Sequence, residues 1–185
     1  FGIYKDIEVK TKEDIYKIVI ASTELTKTKT GGLIVVERDI NISDIIESGV
    51  KIDSDVSPQL IVNLFTPNTP LHDGAVIISN NKIAAAACIL PLADDKEIAK
   101  EIGTRHRAGI GISKESDAIA IIVSEETGKI SVAIDGNLIA DVKEEALKNI
   151  LIKYMINKRF AVERNRRVKK LKIKKENKQK QNEEH

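Results

Sequence analysis

The 185-residue chain has a single cysteine, Cys88, which excludes an intrachain disulfide framework and a four-cysteine zinc site. That scarcity is compatible with a reducing cytosol, and the place of Cys88 inside an apolar run reads as packing. Long hydrophobic runs are missing too: the longest, residues 83–92, is about half of what a bilayer crossing needs, and no signal-peptide pattern precedes it. The chain begins at Phe1 without an initiating Met, so we expect a piece of a longer or processed protein whose other parts can hold an anchor. Several common devices are absent as well: a Walker A loop, a GxGxxG turn, a GxSxG elbow and an HExxH zinc motif. Any phosphate chemistry must use a less common cradle.

Net charge is nearly absent, with 30 Lys and Arg against 28 Asp and Glu, but its distribution is uneven. Residues 158–180 carry 12 Lys or Arg against 2 Glu, whereas residues 1–157 carry 18 basic and 24 acidic groups. The basic character belongs to a tail. High charge and few apolar residues from about Val162 onward predict a fraying helix or disorder. Nucleic-acid or anionic-membrane binding through that tail is weighed against plain solvation. No aromatic residue lies between Val162 and His185, so base stacking has no platform there and nucleic acid is a poor fit.

What is present is one domain's worth of alternating strands and helices. A first helix is expected after Thr11, with Asp14 three residues on and Ile15, Ile18, Val19, Ser22 and Leu25 along one face. Residues 33–37 read as a buried strand and residues 50–53 as a short extended piece. Ser57-Pro58 starts a helix that Pro67 stops. Residues 75–79 and 83–90 around Asn80-Asn81 predict a β-hairpin, and residues 118–123 and 129–134 around Thr127-Gly128 predict a second. Residues 137–142 extend the sheet. A glycine-weakened helix is expected over 102–113 and a strong one over 143–158. The fold class is therefore α/β in the broad sense (α+β): a central mixed, largely antiparallel sheet flanked by helices on both sides. Residues 1–10 read as a lead-in, 11–160 as the folded domain and 161–185 as the tail.

Four clusters could carry chemistry, and each has a plainer reading beside it. Leu71-His72-Asp73-Gly74-Ala75 puts a carboxylate beside a glycine at a strand entrance, suited to a hydroxyl or a metal, or is a solvated turn. Gly103-Thr104-Arg105-His106-Arg107 opens a helix with two guanidiniums, suited to a polyphosphate, or is a basic turn. Ser124-Glu125-Glu126-Thr127-Gly128 offers a hydroxyl and two acids, or is an ordinary hairpin loop. Cys88-Ile89-Leu90-Pro91-Leu92 is an apolar slot for a flat base, or core.

Taken together, Asn68-Thr69-Pro70-Leu71-His72-Asp73-Gly74-Ala75, Leu90-Pro91-Leu92, Gly103-Thr104-Arg105-His106-Arg107-Ala108, Ser116-Asp117-Ala118 and Val123-Ser124-Glu125-Glu126-Thr127-Gly128 resemble, in order and spacing, the bacterial diadenylate cyclases. The likeness runs from about Thr11 to Leu151 and is nearest to the membrane-anchored type. It implies condensation of two ATP into cyclic di-AMP and two pyrophosphates by two protomers facing each other, in a cytoplasmic domain whose parent is tethered to the membrane.

The resemblance further implies roles for particular residues. Asp73 would activate the 3′-hydroxyl, with Gly74 and Ala75 shaping the ribose contact. Gly103, Thr104, Arg105 and Arg107 would bind the triphosphate, with His106 orienting their loop and Ser124 touching a phosphate. Ile89 and Leu90 would meet adenine, Ile89 standing where an aromatic is common. His72, Asp73, Glu125 and Glu126 would hold Mn²⁺ or Mg²⁺, with Co²⁺ an alternative. A membrane-bound regulatory protein and a phosphoglucosamine mutase are implied as partners. The competing reading is a catalytically silent sensor of ATP or a cyclic dinucleotide.

Overall fold

Strands in which nearly every residue is apolar need both faces covered, and the middle of this chain supplies several. The computed structural model describes residues 2–94, 102–158 and 169–170. In it β1 (Gly32–Val36), β3 (Ala75–Ser79), β5 (Ile119–Val123) and β6 (Ile130–Ile134) are buried along their whole length. With β2 (Val50–Asp55), β4 (Lys82–Cys88) and β7 (Asn137–Ile139) they form a seven-stranded sheet in the order β2-β4-β3-β1-β5-β6-β7. β1 and β3 pair in parallel, and the other neighbours are antiparallel. The expected mixed, largely antiparallel sheet is the one found.

Side chains alternate between the faces with the period of a strand. Ile34, Val36, Ile121 and Val132 point to a core shared with α1 (Gly2–Lys27), α3 (Pro58–Leu64) and α5 (Glu144–Leu151), which a π-helical stretch Ile152–Lys158 continues. Leu33, Val35, Ile122 and Ala133 point the other way, toward α2 (Ser43–Glu47) and α4 (Thr104–Glu115). That second face carries small residues, Ala75, Ala85, Ala120 and Ala133. Against them α4 presents Gly109 and Gly111: a Cβ on Gly109 would lie 2.8 Å from Ile122 Cδ1, and one on Gly111 would strike the Pro91 carbonyl oxygen. The glycines that weaken α4 as an isolated helix let it approach its neighbours, the sheet through Gly109 and the loop at Pro91 through Gly111.

Four expectations need correction. The first helix starts at Gly2 rather than after Thr11. Thr11 and Asp14 are buried inside it, and both accept hydrogen bonds from Asn81 Nδ2, at 3.2 and 2.8 Å, so the apparent capping pair holds the β3–β4 turn instead. The five-residue helix α2 was not expected. The helix foreseen over 102–113 begins two residues later, because Gly103 is extended (φ −67°, ψ 170°). The last helix is α-helical only as far as Leu151. The basic tail lies outside the described residues apart from Lys169 and Lys170. Among the described residues no helix is long and apolar enough to cross a membrane.

Candidate nucleotide-binding cleft

At one end of the sheet the starts of β1 and β3, the end of β5 and the N-terminus of α4 surround a cleft of 1290 Å³. Its floor is the turn Asp73-Gly74. Gly74 has φ +96°, and a Cβ there would lie 2.7 Å from the Cys88 carbonyl oxygen. Only glycine combines that backbone with that approach. Asp73 is exposed beside it. His72 Nδ1 lies 2.7 Å from the Thr69 carbonyl oxygen, which can only accept, so Nδ1 is the donor and Nε2 is the ring nitrogen left for another partner.

Opposite this turn β4 ends irregularly: its pairing with β3 shifts register, and Ala87 takes φ 54°. The bend leaves the side chain of Ile89 72% exposed while Leu90 stays buried. Ser48 fixes this bend. Its Oγ accepts from the Ile89 amide at 3.0 Å and donates to the Ile45 carbonyl at 2.6 Å. Burial pushes the Cys88 thiol up to about 11, so it is neutral and packs.

The third wall is the start of α4. Gly103 caps it without a side-chain acceptor, and its first turn holds no acid. Helix geometry leaves the leading amides without intrahelical partners, and the dipole adds positive potential there. Arg105 stands over this end with its Nη1 3.2 Å from Glu125 Oε2. His106 is half-buried; burial first, then the Arg105 charge, hold its pKa below the ordinary 6.5, with Glu126 opposing. Arg107 turns away: its Nε donates to the Ala93 carbonyl at 3.3 Å, and its own carbonyl accepts from the Ala93 amide at 3.1 Å.

Ser124 closes the ring of groups. Its Oγ accepts from the amides of Glu126 and Thr127, at 3.3 and 3.2 Å, which leaves the hydroxyl proton for an incoming acceptor. The turn is tight because Gly128 adopts φ +68° and its amide bonds to the Ser124 carbonyl at 2.8 Å.

The cleft thus brings together His72, Asp73, Gly74, Ile89, Leu90, Gly103, Thr104, Arg105, His106, Ser124, Glu125 and Glu126. Ala75 lies fully buried below it, and Arg107 braces residues 91–94 rather than lining the cavity. Among the described residues no three His, Cys, Asp or Glu side chains stand close enough to hold a metal ion, so the four expected ligands do not form a preassembled centre. Sequence reading missed Ser48, Lys129 and Asp141. The last two line the cleft from the far hairpin, where the Lys143 hydrogen bond, at 3.0 Å, keeps the Asp141 carboxyl below its usual range. No local pattern marks them, since their place follows from sheet order alone.

An uncapped helix end, a guanidinium, a hydroxyl donor and an apolar slot on one cleft are groups suited to the phosphates and base of a nucleotide. The family described as DisA bacterial checkpoint controller nucleotide-binding matches residues 19–138, and the chain belongs to it. It is 50% identical over 145 residues to the cyclic di-AMP synthase CdaA of Bacillus subtilis, a match covering 78% of this chain and 53% of that protein. It is 49% identical over 150 residues to a diadenylate cyclase of Listeria monocytogenes, covering 81% and 55%. The chain therefore spans about half the length of the curated relatives it matches. A crystal structure of a double mutant of DacA from Staphylococcus aureus superposes with a TM-score of 0.76 at 46% identity, over 78% of this chain and 96% of that one.

Proposed function

We propose that this domain is a diadenylate cyclase, joining two ATP into cyclic di-AMP with release of two pyrophosphates. The observation that carries the reading is the convergence of Asp73-Gly74, the uncapped start of α4 with Arg105, and Ser124 on one cleft. The names of its relatives in Bacillus subtilis and Listeria monocytogenes point the same way.

The triphosphate lies against the α4 amides, the Arg105 guanidinium and the Ser124 hydroxyl, displacing Glu125 from Arg105. The base enters the slot at Ile89 and Leu90, and an aliphatic cover there forgoes about 1–3 kcal/mol of aromatic stacking. Asp73 takes the proton of the ribose 3′-hydroxyl as that oxygen attacks the α-phosphorus of the facing nucleotide. The new O3′–P bond forms as the bond to pyrophosphate breaks, and Arg105 stabilises the charge that leaves. Two such transfers close the ring. One protomer holds one ATP, so a second must present its nucleotide in line, an arrangement worth about 7–11 kcal/mol of barrier. Arg107 serves this geometry indirectly, by fixing the loop at Ala93.

His72 Nε2 and the Asp73 carboxylate are the donors that fit a divalent ion, Mn²⁺ or Mg²⁺, with phosphate oxygens and water completing its shell. Such an ion would neutralise phosphate charge at the reacting end. Glu125, already paired with Arg105, fits that shell less well. The parent protein is read as membrane-tethered with this domain on the cytoplasmic side. A related Bacillus cereus structure, 45% identical with a TM-score of 0.65, is described as a hypothetical membrane-spanning protein.

The test is incubation of the purified protein with ATP and Mn²⁺, followed by chromatographic resolution of the nucleotides. Cyclic di-AMP should form, and chelation of the metal should stop it. Asp73→Asn should abolish product while largely sparing ATP binding. ATP binding without any cyclic product would replace the enzyme with a sensor.

A further inference from the structure

The loop between α1 and β1 ends at Gly31, which no motif of the sequence marks. A Cβ built there would fall into the Arg105 guanidinium, meeting Nη1 and lying 2.5 Å from Cζ and 2.9 Å from Nη2. The three nearest heavy atoms all belong to that one group, so the guanidinium rests on the Gly31 backbone. Nη1 also lies 3.2 Å from Glu125 Oε2, and the Arg105 side chain is only 23% exposed although it lines an open cleft. Arginine has several freely rotating bonds, and a planar fork binds phosphate well only when its plane is fixed beforehand. Glu125, with 65% of its side chain exposed, can swing away when an anion arrives, whereas the Gly31 backbone cannot.

We propose that Gly31 is a positioning residue for the anion subsite: the bare backbone is the seat that holds the Arg105 guanidinium toward an incoming triphosphate. The nucleotide part of this inference rests on the ATP reading above, while its anion part does not. Gly31 does not use the left-handed backbone that only glycine favours, so alanine is compatible with the local conformation. Its methyl would displace only the far end of a long side chain. Gly31→Ala is therefore a change that spares the fold and unseats one functional group.

The experiment compares the full-length wild type, Gly31→Ala, Arg105→Lys and the double variant. Each is titrated calorimetrically with inorganic tripolyphosphate and with ATP, and its thermal unfolding is recorded. Gly31→Ala should weaken both ligands roughly tenfold, the scale of one charge-assisted hydrogen bond, with its unfolding temperature unchanged. In the Arg105→Lys background it should add no further loss, because an ammonium has no plane to seat. Three results overturn the proposal: no tripolyphosphate binding by the wild type, wild-type affinity in Gly31→Ala, or a Gly31→Ala loss that adds in full to that of Arg105→Lys. The last is also what general damage to the fold would give. If the tripolyphosphate pattern holds but the wild type makes no cyclic dinucleotide, the cyclase reading fails and the role of Gly31 stands.

Discussion

At Gly74 two constraints coincide, a φ of +96° and a backbone so close to β4 that an added Cβ would lie 2.7 Å from the Cys88 carbonyl oxygen. The contact is with backbone, so no side-chain rotation relieves it. Gly74→Ala is expected to cost about 2–3 kcal/mol, from left-handed strain plus overpacking. In a chain of this size that lowers Tm by roughly 4–12 °C, measurable by calorimetry. The same change displaces Asp73, so the product assay should lose activity beyond what unfolding explains. His106 gives a prediction in pH. Its folded pKa lies below 6.5 because burial and then Arg105 disfavour the charged ring, with Glu126 only partly offsetting them. The unfolded chain then binds the proton more readily than the folded one. The contribution of His106 to stability is complete above pH 6.5 and is lost as pH falls through 6.5 toward the folded value. An NMR titration should place the imidazole midpoint below 6.5. Denaturant unfolding at about pH 7.5 and about pH 5.5 should differ more in the wild type than in His106→Gln, and equal differences would assign the effect elsewhere.

For α4 the glycines separate two kinds of close approach. A Cβ on Gly109 would meet side-chain atoms, Ile122 Cδ1 at 2.8 Å and the Ala120 Cβ at 3.2 Å, whereas one on Gly111 would meet the Pro91 carbonyl oxygen and cannot be accommodated without moving backbone. Gly109→Ala should cost less than Gly111→Ala, since about 1 kcal/mol of helix propensity offsets part of the repacking against Ile122 and Ala120. Gly111→Ala should cost about 1–3 kcal/mol and push residues 91–94 outward, raising the KM for ATP. Equal losses in denaturant unfolding would show that α4 does not approach the loop as described. Elements of this kind were legible in the sequence wherever the signal is local. Asn80 and Asn81 both adopt positive φ, at 49° and 62°, as a tight hairpin turn demands, and Ser57 Oγ caps α3 by accepting from the Leu60 amide at 3.2 Å. Signals became ambiguous where a local pattern served a distant partner. Thr11 and Asp14 look like a cap in sequence, yet they are bound to Asn81 across the fold. The blocks around Asp73, Arg105 and Ser124 stand out in the sequence and line one cleft, whereas nothing local marks Gly31 or Ser48, whose contacts with Arg105 and Ile89 are made across the fold. Arg107 follows Arg105 by two positions, about 200° around the helix, and its Nε donates to the Ala93 carbonyl while Arg105 lines the cleft.

Among the described residues the helices cover both faces of the sheet and leave one end uncovered, with Ile89 72% and Leu92 47% exposed at the cleft. On the proposed cyclase reading a second copy of the domain brings the second nucleotide to this end of the sheet. If each copy supplies one of the two reactants, activity per unit of protein must depend on protein concentration. Far below the dimer Kd the paired fraction is proportional to total protein, so halving the concentration should halve the specific activity, and far above it the specific activity should be flat. ATP binding by single protomers should show no such dependence, because on the proposed reading each protomer holds one nucleotide by itself. Measuring cyclic product at saturating ATP over about a thousandfold range of protein, alongside sedimentation to follow the mass, tests both halves of the argument, since that range spans about 4 kcal/mol of association free energy. The expected curve rises with the dimer population and levels where the dimer saturates. A specific activity that stays flat while sedimentation reports monomer throughout would mean that one cleft accomplishes the reaction alone, and the paired site would have to be abandoned.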